Sequence, residues 1–204
     1  MKIFGLNPWF FVFVLVCFDQ ALKVFIKSNF YLGEQLEVFD WFSFYFVENN
    51  GFAFGYEFFG GWGKLLLTTI RIVFVIIIFK WIVDFIKSDQ NRFVLLAFLL
   101  IFSGAIGNII DSVFYGVFYG YAPLFFGRVV DMFYFPLFSG TYPEWLPFVG
   151  GNDFIFFKYI FNLADSYITC GATLLLIFYK QVPFNADTLS NLLYMCDYLV
   201  DFTF

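Results

Sequence analysis

Histidine is absent from this chain. That single gap removes the Ser-His-Asp triad, the Cys-His pair and most zinc chemistry. Charge is scarce too: Asp, Glu, Lys and Arg make up 13% of the 204 residues, where a soluble domain carries roughly a quarter. The charge present sums to −5, so no basic face is available to neutralise phosphates, and nucleic acid is excluded as a partner. The three cysteines, Cys17, Cys170 and Cys196, show no CxxC spacing and read as buried or incidental thiols. Any catalysis must run on carboxylates, hydroxyls, Lys or Arg.

Apolar residues dominate instead. They form 62% of the chain, with 37 Phe, and the mean hydropathy is +0.82. Four apolar stretches, 8–26, 65–86, 93–110 and 156–179, reach or approach the ~20 residues a helix needs to cross a bilayer. The first is opened by Asn7-Pro8, a cap followed by proline in the first turn. No small-residue cleavage site follows it, and Val16 stands before Cys17, so it is expected to be retained as a span and not removed as a leader. Basic residues flank the N-terminus, the second connection and the last span (Lys2, Lys80, Lys87, Arg92, Lys180), whereas the first connection is acidic (Glu34, Glu37, Asp40, Glu48, Glu57). That asymmetry predicts both termini inside and connections one and three outside.

The resulting expectation is an all-α membrane protein, a four-transmembrane-helix bundle with a small extracytoplasmic β-rich cradle and loop. Residues 1–180 would form one integral membrane domain and 181–204 a cytoplasmic tail. The aromatic, partly alternating stretch 36–47 predicts a strand or hairpin at the membrane surface. The third connection, 112–155, is too long for a simple turn, and such loops tend to be functional.

Polar groups inside apolar spans cost a few kcal/mol each on insertion scales (roughly 2.5–3.5 for a central charge), so they usually face a bundle interior or a wet cavity. Asp19, Gln20 and Lys23 form D-Q-x-x-K, with Asp19 and Lys23 one turn apart; this is either a self-neutralising pair between helices or part of a site. The third stretch ends G-A-I-G-N-I-I-D, with small residues that permit close packing and Asn108 and Asp111 on one face. After the long connection come Gly127-Arg128-Val129-Val130-Asp131 and then Phe161-Asn162-Leu163-Ala164-Asp165-Ser166, which repeats the Asn-x-x-Asp spacing. Two such pairs near the same ends of consecutive spans would converge on one polar pocket.

Taken in order, D-Q-x-x-K, Asn49-Asn50-Gly51-Phe52-Ala53-Phe54-Gly55, G-A-I-G-N-I-I-D, V-V-D and F-N-L-A-D-S resemble lipoprotein signal peptidase (signal peptidase II). The resemblance covers the chain from Asp19 to Ser166. It implies catalytic aspartates at Asp131 and Asp165, with polar support from Asp19, Lys23, Asn49, Gly51, Asn108, Asp111 and Asn162. It further implies a monomeric enzyme of the bacterial inner membrane with no metal or cofactor. Its substrates would be prolipoproteins bearing diacylglycerol on the cysteine just after the cut, set among membrane lipids, and the antibiotic globomycin would occupy the same cleft. Two departures stand out. An Arg commonly follows the Asp of G-N-x-x-D, whereas Ser112 stands here, with Arg128 as the candidate to supply the missing charge from the loop. The segments around Asp131 are also longer than usual, as for a lid or cradle.

Two carboxyl groups suffice for amide hydrolysis when they share a proton. Like charges at contact distance cannot both ionise, so one member activates water and the other polarises the carbonyl and protonates the leaving nitrogen. The sequence does not assign which aspartate takes which part. A channel or transporter subunit, the rival reading, would thread its acidic groups through the membrane depth; a scaffold would leave both Asn-x-x-Asp pairs idle.

Overall fold

The structure is a computed structural model that describes residues 2–50, 61–88 and 91–182. Gly51, the motif residues after it, Cys196 and the tail from residue 183 lie outside the described residues. Helix α1 (Pro8–Asn29) starts where predicted: the Asn7 side chain accepts from the Trp9 N–H at 2.9 Å, with Pro8 in the first turn. Strands β1 (Gln35–Phe39) and β2 (Phe42–Asn49) follow as an antiparallel hairpin over the aromatic stretch. Helices α2 (Gly61–Ser88) and α3 (Arg92–Ile110) come next, and α3 runs on through a π-helical turn, Asp111–Tyr115, into a single turn, α4 (Gly116–Phe118).

Beyond α4 the chain forms β3 (Val129–Tyr134), the hairpin β4 (Phe138–Thr141) and β5 (Asp153–Phe156), the two-residue β6 (Ile160–Phe161) and helix α5 (Leu163–Ile177). Pro8–Asn29, Trp62–Lys87 and Arg92–Phe118 are long and apolar enough to cross a membrane, and α5 is a shorter apolar helix. The segment expected as a fourth span from 156 to 179 therefore becomes helix only at Leu163, because 153–156 and 160–161 are strand.

Helix α3 lies at the centre. Of its most apolar window 67% is buried within the protein, against 22% for α1 and for α2. The two flanking helices keep an apolar side for surroundings outside the chain: α2 exposes Leu66, Ile70, Val73 and Phe79 while burying Leu67, Ile78, Ile82 and Phe85. Small residues set the approach of α3 to its neighbours. A Cβ at Gly104 would stand 2.2 Å from the Ala164 carbonyl oxygen, and one at Gly107 would stand 2.5 Å from Asp19 Oδ2.

The strands form a four-stranded antiparallel sheet in the order β1-β2-β3-β6, and among the described residues β4 and β5 pair only with each other. Strand β3 is the sheet's link to the helices. Val130 and Met132 pack with Ile26, Phe46 and Tyr115 in one apolar cluster, so the period of two turns Asp131 to the opposite face. The described cysteines, Cys17 and Cys170, are free and exposed, so of the two expected alternatives they are incidental thiols and not buried ones.

Gly104→Ala should force α3 and α5 apart. A loss of about 1–3 kcal/mol is expected for overpacking of this kind, read as a lower thermal midpoint in detergent. An unchanged midpoint would mean that the helices do not meet at this glycine.

Candidate active site

The site is assembled from α1, α3, β2, β3 and the start of α5. Asn162 caps α5: its Oδ1 accepts from the Asp165 backbone N–H at 2.9 Å, and Asp165 Oδ2 accepts from the Asn162 backbone N–H at 3.1 Å. This reciprocal capping box satisfies two otherwise orphaned donors and places a carboxylate at the positive end of the helix. With its oxygen turned to the helix, the Asn162 amide points its nitrogen away, and Nδ2 donates to Asp131 Oδ1 at 2.7 Å. One side chain thus touches both aspartates.

Asn108 holds Asp165 from α3. Lys23 can only donate, and its Nζ lies 2.9 Å from Asn108 Oδ1. That contact turns the Asn108 amide nitrogen towards Asp165 Oδ1, 2.8 Å away. Asn108 Oδ1 also accepts from Asn162 Nδ2 at 3.3 Å. Asp131 is further held by the Asn49 side chain. The register explains this contact: Val47 pairs with Asp131 across β2 and β3, so Asn49 is a diagonal neighbour on the same face.

Behind the aspartates lies a buried ionic cluster. Lys23 Nζ is 3.0 Å from Asp19 Oδ2 and 2.8 Å from Asp111 Oδ2, and all three side chains are fully buried. Asp19 Oδ1 accepts from the Ala164 N–H at 2.9 Å, tying α1 to the first turn of α5. Asp111 Oδ2 accepts from the Val130 N–H at 3.3 Å, tying α3 to β3. Gln20 bridges the two acids, donating to Asp111 Oδ1 at 2.9 Å and Asp19 Oδ2 at 3.1 Å. Asp19 and Lys23 are therefore both the neutralising pair and the frame of the site.

Eight of the nine residues singled out from the sequence, all except Gly51, converge in this network. Burial, and then the charge of Asp165, push the Asp131 carboxyl well above its ordinary range, against the pull of Asn162, Lys23 and Asn49. The expected role of Arg128 is not met. Its guanidinium donates to Glu48 Oε2 at 3.1 Å, lies over the Tyr121 ring and is 44% exposed, while Glu48 also pairs with Lys27. The cation that approaches Ser112 is Arg71 of α2, whose Nη1 lies 3.3 Å from Ser112 Oγ. The sequence carries a signal for it, a lone charge inside the apolar run 65–79, but nothing there tells which helix face turns inward.

Comparisons with known proteins agree with this architecture. The family model for Signal peptidase (SPase) II matches residues 11–180. The chain is 42% identical over 186 residues to a Lipoprotein signal peptidase of Porphyromonas gingivalis, covering 83% of this chain and 81% of that one. A Lipoprotein signal peptidase of Amoebophilus asiaticus is 37% identical over 172 residues, covering 79% of this chain and 72% of that one. A solved structure described as a bacterial membrane enzyme at 2.3 Å resolution aligns with a TM-score of 0.59 at 28% identity, covering 86% of this chain and 89% of that one. A second, at 1.9 Å, gives a TM-score of 0.57 at 31% identity, covering 83% and 90%.

Lys23→Ala should be severely destabilising, because it strands two buried carboxylates. Breaking a buried ion pair by removing one partner costs about 3–5 kcal/mol, seen as a large drop in thermal midpoint. A midpoint within a degree or two of the wild type would show that the cluster is hydrated or neutral.

Proposed function

The chain belongs to the Signal peptidase (SPase) II family, and we propose that it carries out that family's reaction as an aspartic endopeptidase, with Asp131 and Asp165 as its acids. As a multi-pass membrane peptidase of this family it removes the signal peptide from prolipoproteins. The observation that carries the aspartic reading is Asn162, whose side chain and backbone hold Asp131 and Asp165 in one buried network. Carboxylates brought together away from water share a proton, so one is charged and the other neutral at moderate pH. The charged member takes a proton from water, the neutral one polarises the scissile carbonyl, and the proton then passes to the departing amine.

The finer reading is the one that the family resemblance and the charge pattern of the sequence support. Substrates carry diacylglycerol on the cysteine after the cut, and their acyl chains stay in lipid beside the bundle while the peptide crosses the cleft. Helix α5 acts as a fourth, short span. The basic flanks at Lys2, Lys87, Arg92 and Lys180 support both termini facing the cytoplasm, with the enzyme in the bacterial inner membrane and the site near its outer face. The buried acids form one connected cluster and not a file of separate stations, which favours a peptidase over an acidic conduction path.

Purified protein should release the signal peptide from a diacylglyceryl-modified prolipoprotein with EDTA present throughout. Asp131→Asn and Asp165→Asn should each lower kcat by about 10²–10⁴-fold or more in protein that still folds and inserts. Full activity in the double Asn variant would sink the aspartic mechanism. The pH profile follows from the raised Asp131 carboxyl. Activity requires one shared proton, so kcat/KM should hold as pH rises past the usual carboxylate range and decline only when the pair loses that proton. A decline already complete within the ordinary carboxylate range would contradict the pairing.

A further inference from the structure

We propose that Arg71 is a substrate-binding residue, whose guanidinium donates to a main-chain carbonyl of the prolipoprotein beside the scissile bond. The proposal rests on the peptidase reading above and assigns to that site a cation contributed by α2.

An Arg in the middle of a span is costly, by roughly 2.5–3.5 kcal/mol on insertion scales, and calls for either a structural counter-charge or a use. Among the described residues no carboxylate pairs with Arg71 at salt-bridge distance. Its hydrogen bond to Ser112 Oγ is long, at 3.3 Å, and engages one nitrogen. Yet Asp165, Asp131 and Asp111 all act on it electrostatically. The guanidinium is thus held within reach of the acid pair's field while staying out of contact with either acid.

Lys23 makes the contrast. Its ammonium has three donors and three partners, Asp19, Asp111 and Asn108, so it is fully engaged in holding the frame. Arg71 has five N–H donors, and among the described residues one of its nitrogens is engaged, by Ser112. The residue is only half-buried, so the remaining donors are not sealed in the protein. Spare donors on a rigid fork, within the field of two acids, fit the acceptor that every peptide substrate must bring: an extended main-chain carbonyl. Ser112 completes the arrangement by anchoring the fork from the π-helical turn after α3; its own hydroxyl donates to the Asn108 carbonyl oxygen at 2.8 Å.

The test is steady-state cleavage of the lipidated prolipoprotein by Arg71→Gln and Arg71→Lys, with thermal midpoints measured on the same samples. Loss of a charge-assisted hydrogen bond predicts a KM raised about 10-fold or more in R71Q, with a smaller rise in R71K, whose point charge lacks the fork. A folded R71Q with wild-type KM would overturn the proposal. If R71Q does not fold, R71K decides: a raised KM at a retained midpoint supports substrate binding, and a wild-type KM overturns it. Wild type and Asp131→Asn run alongside keep the two readings apart. Cleavage by wild type that is lost in D131N, together with an unaffected R71Q, rejects only the role of Arg71.

Discussion

One buried ammonium group organises the site. Lys23 is fully buried and in contact with Asp19, Asp111 and Asn108, and each partner carries its influence to a different element. Asp19 reaches the backbone at the start of α5, Asp111 reaches the backbone of β3, and Asn108 is oriented towards Asp165. Removing two carboxylates and an ammonium from water is expensive, and the cluster persists only because every polar atom finds a partner. In return α1, α3, β3 and α5 are held in one relative position, the position in which Asp131 and Asp165 share Asn162.

Much of this was legible in the sequence because lipid makes polar residues conspicuous. In a chain that is 62% apolar, Asp19, Lys23, Asn108, Asp111, Asn162 and Asp165 stand out inside or beside apolar runs, and their three- and four-residue spacings place them on common faces. Asn49 was legible only through the motif around it; its contact with Asp131 depends on a strand register with a bulge between Phe44 and Val47, which no local pattern announces.

What stayed hidden has physical causes. Hydropathy cannot say which side of α2 faces inward, since lipid and helix core are equally apolar, so Arg71 gave no sign of its direction. Arg128 lies close in sequence to Asp131, but the adjacent Glu48 offered it a surface partner. The beginning of α5 was misjudged because a Phe-rich run suits strand as well as helix. The true start is marked by the Asn162–Asp165 capping box, whose two members the sequence presents equally well as site residues. They are both.

Among the described residues the hairpin of β4 and β5 pairs with no other strand, and neither acid depends on it. Asp131 is fixed by β2 and by Asp111, and Asp165 by the cap of its own helix. The stretch between Tyr134 and Ile160 is therefore free to lengthen or shorten without disturbing the network around the two acids. The interval from Asn162 to Asp165 has no such freedom, since one inserted residue would turn the acid by about 100° around the helix axis. Insertions and deletions among related chains should therefore gather in the first interval and be absent from the second.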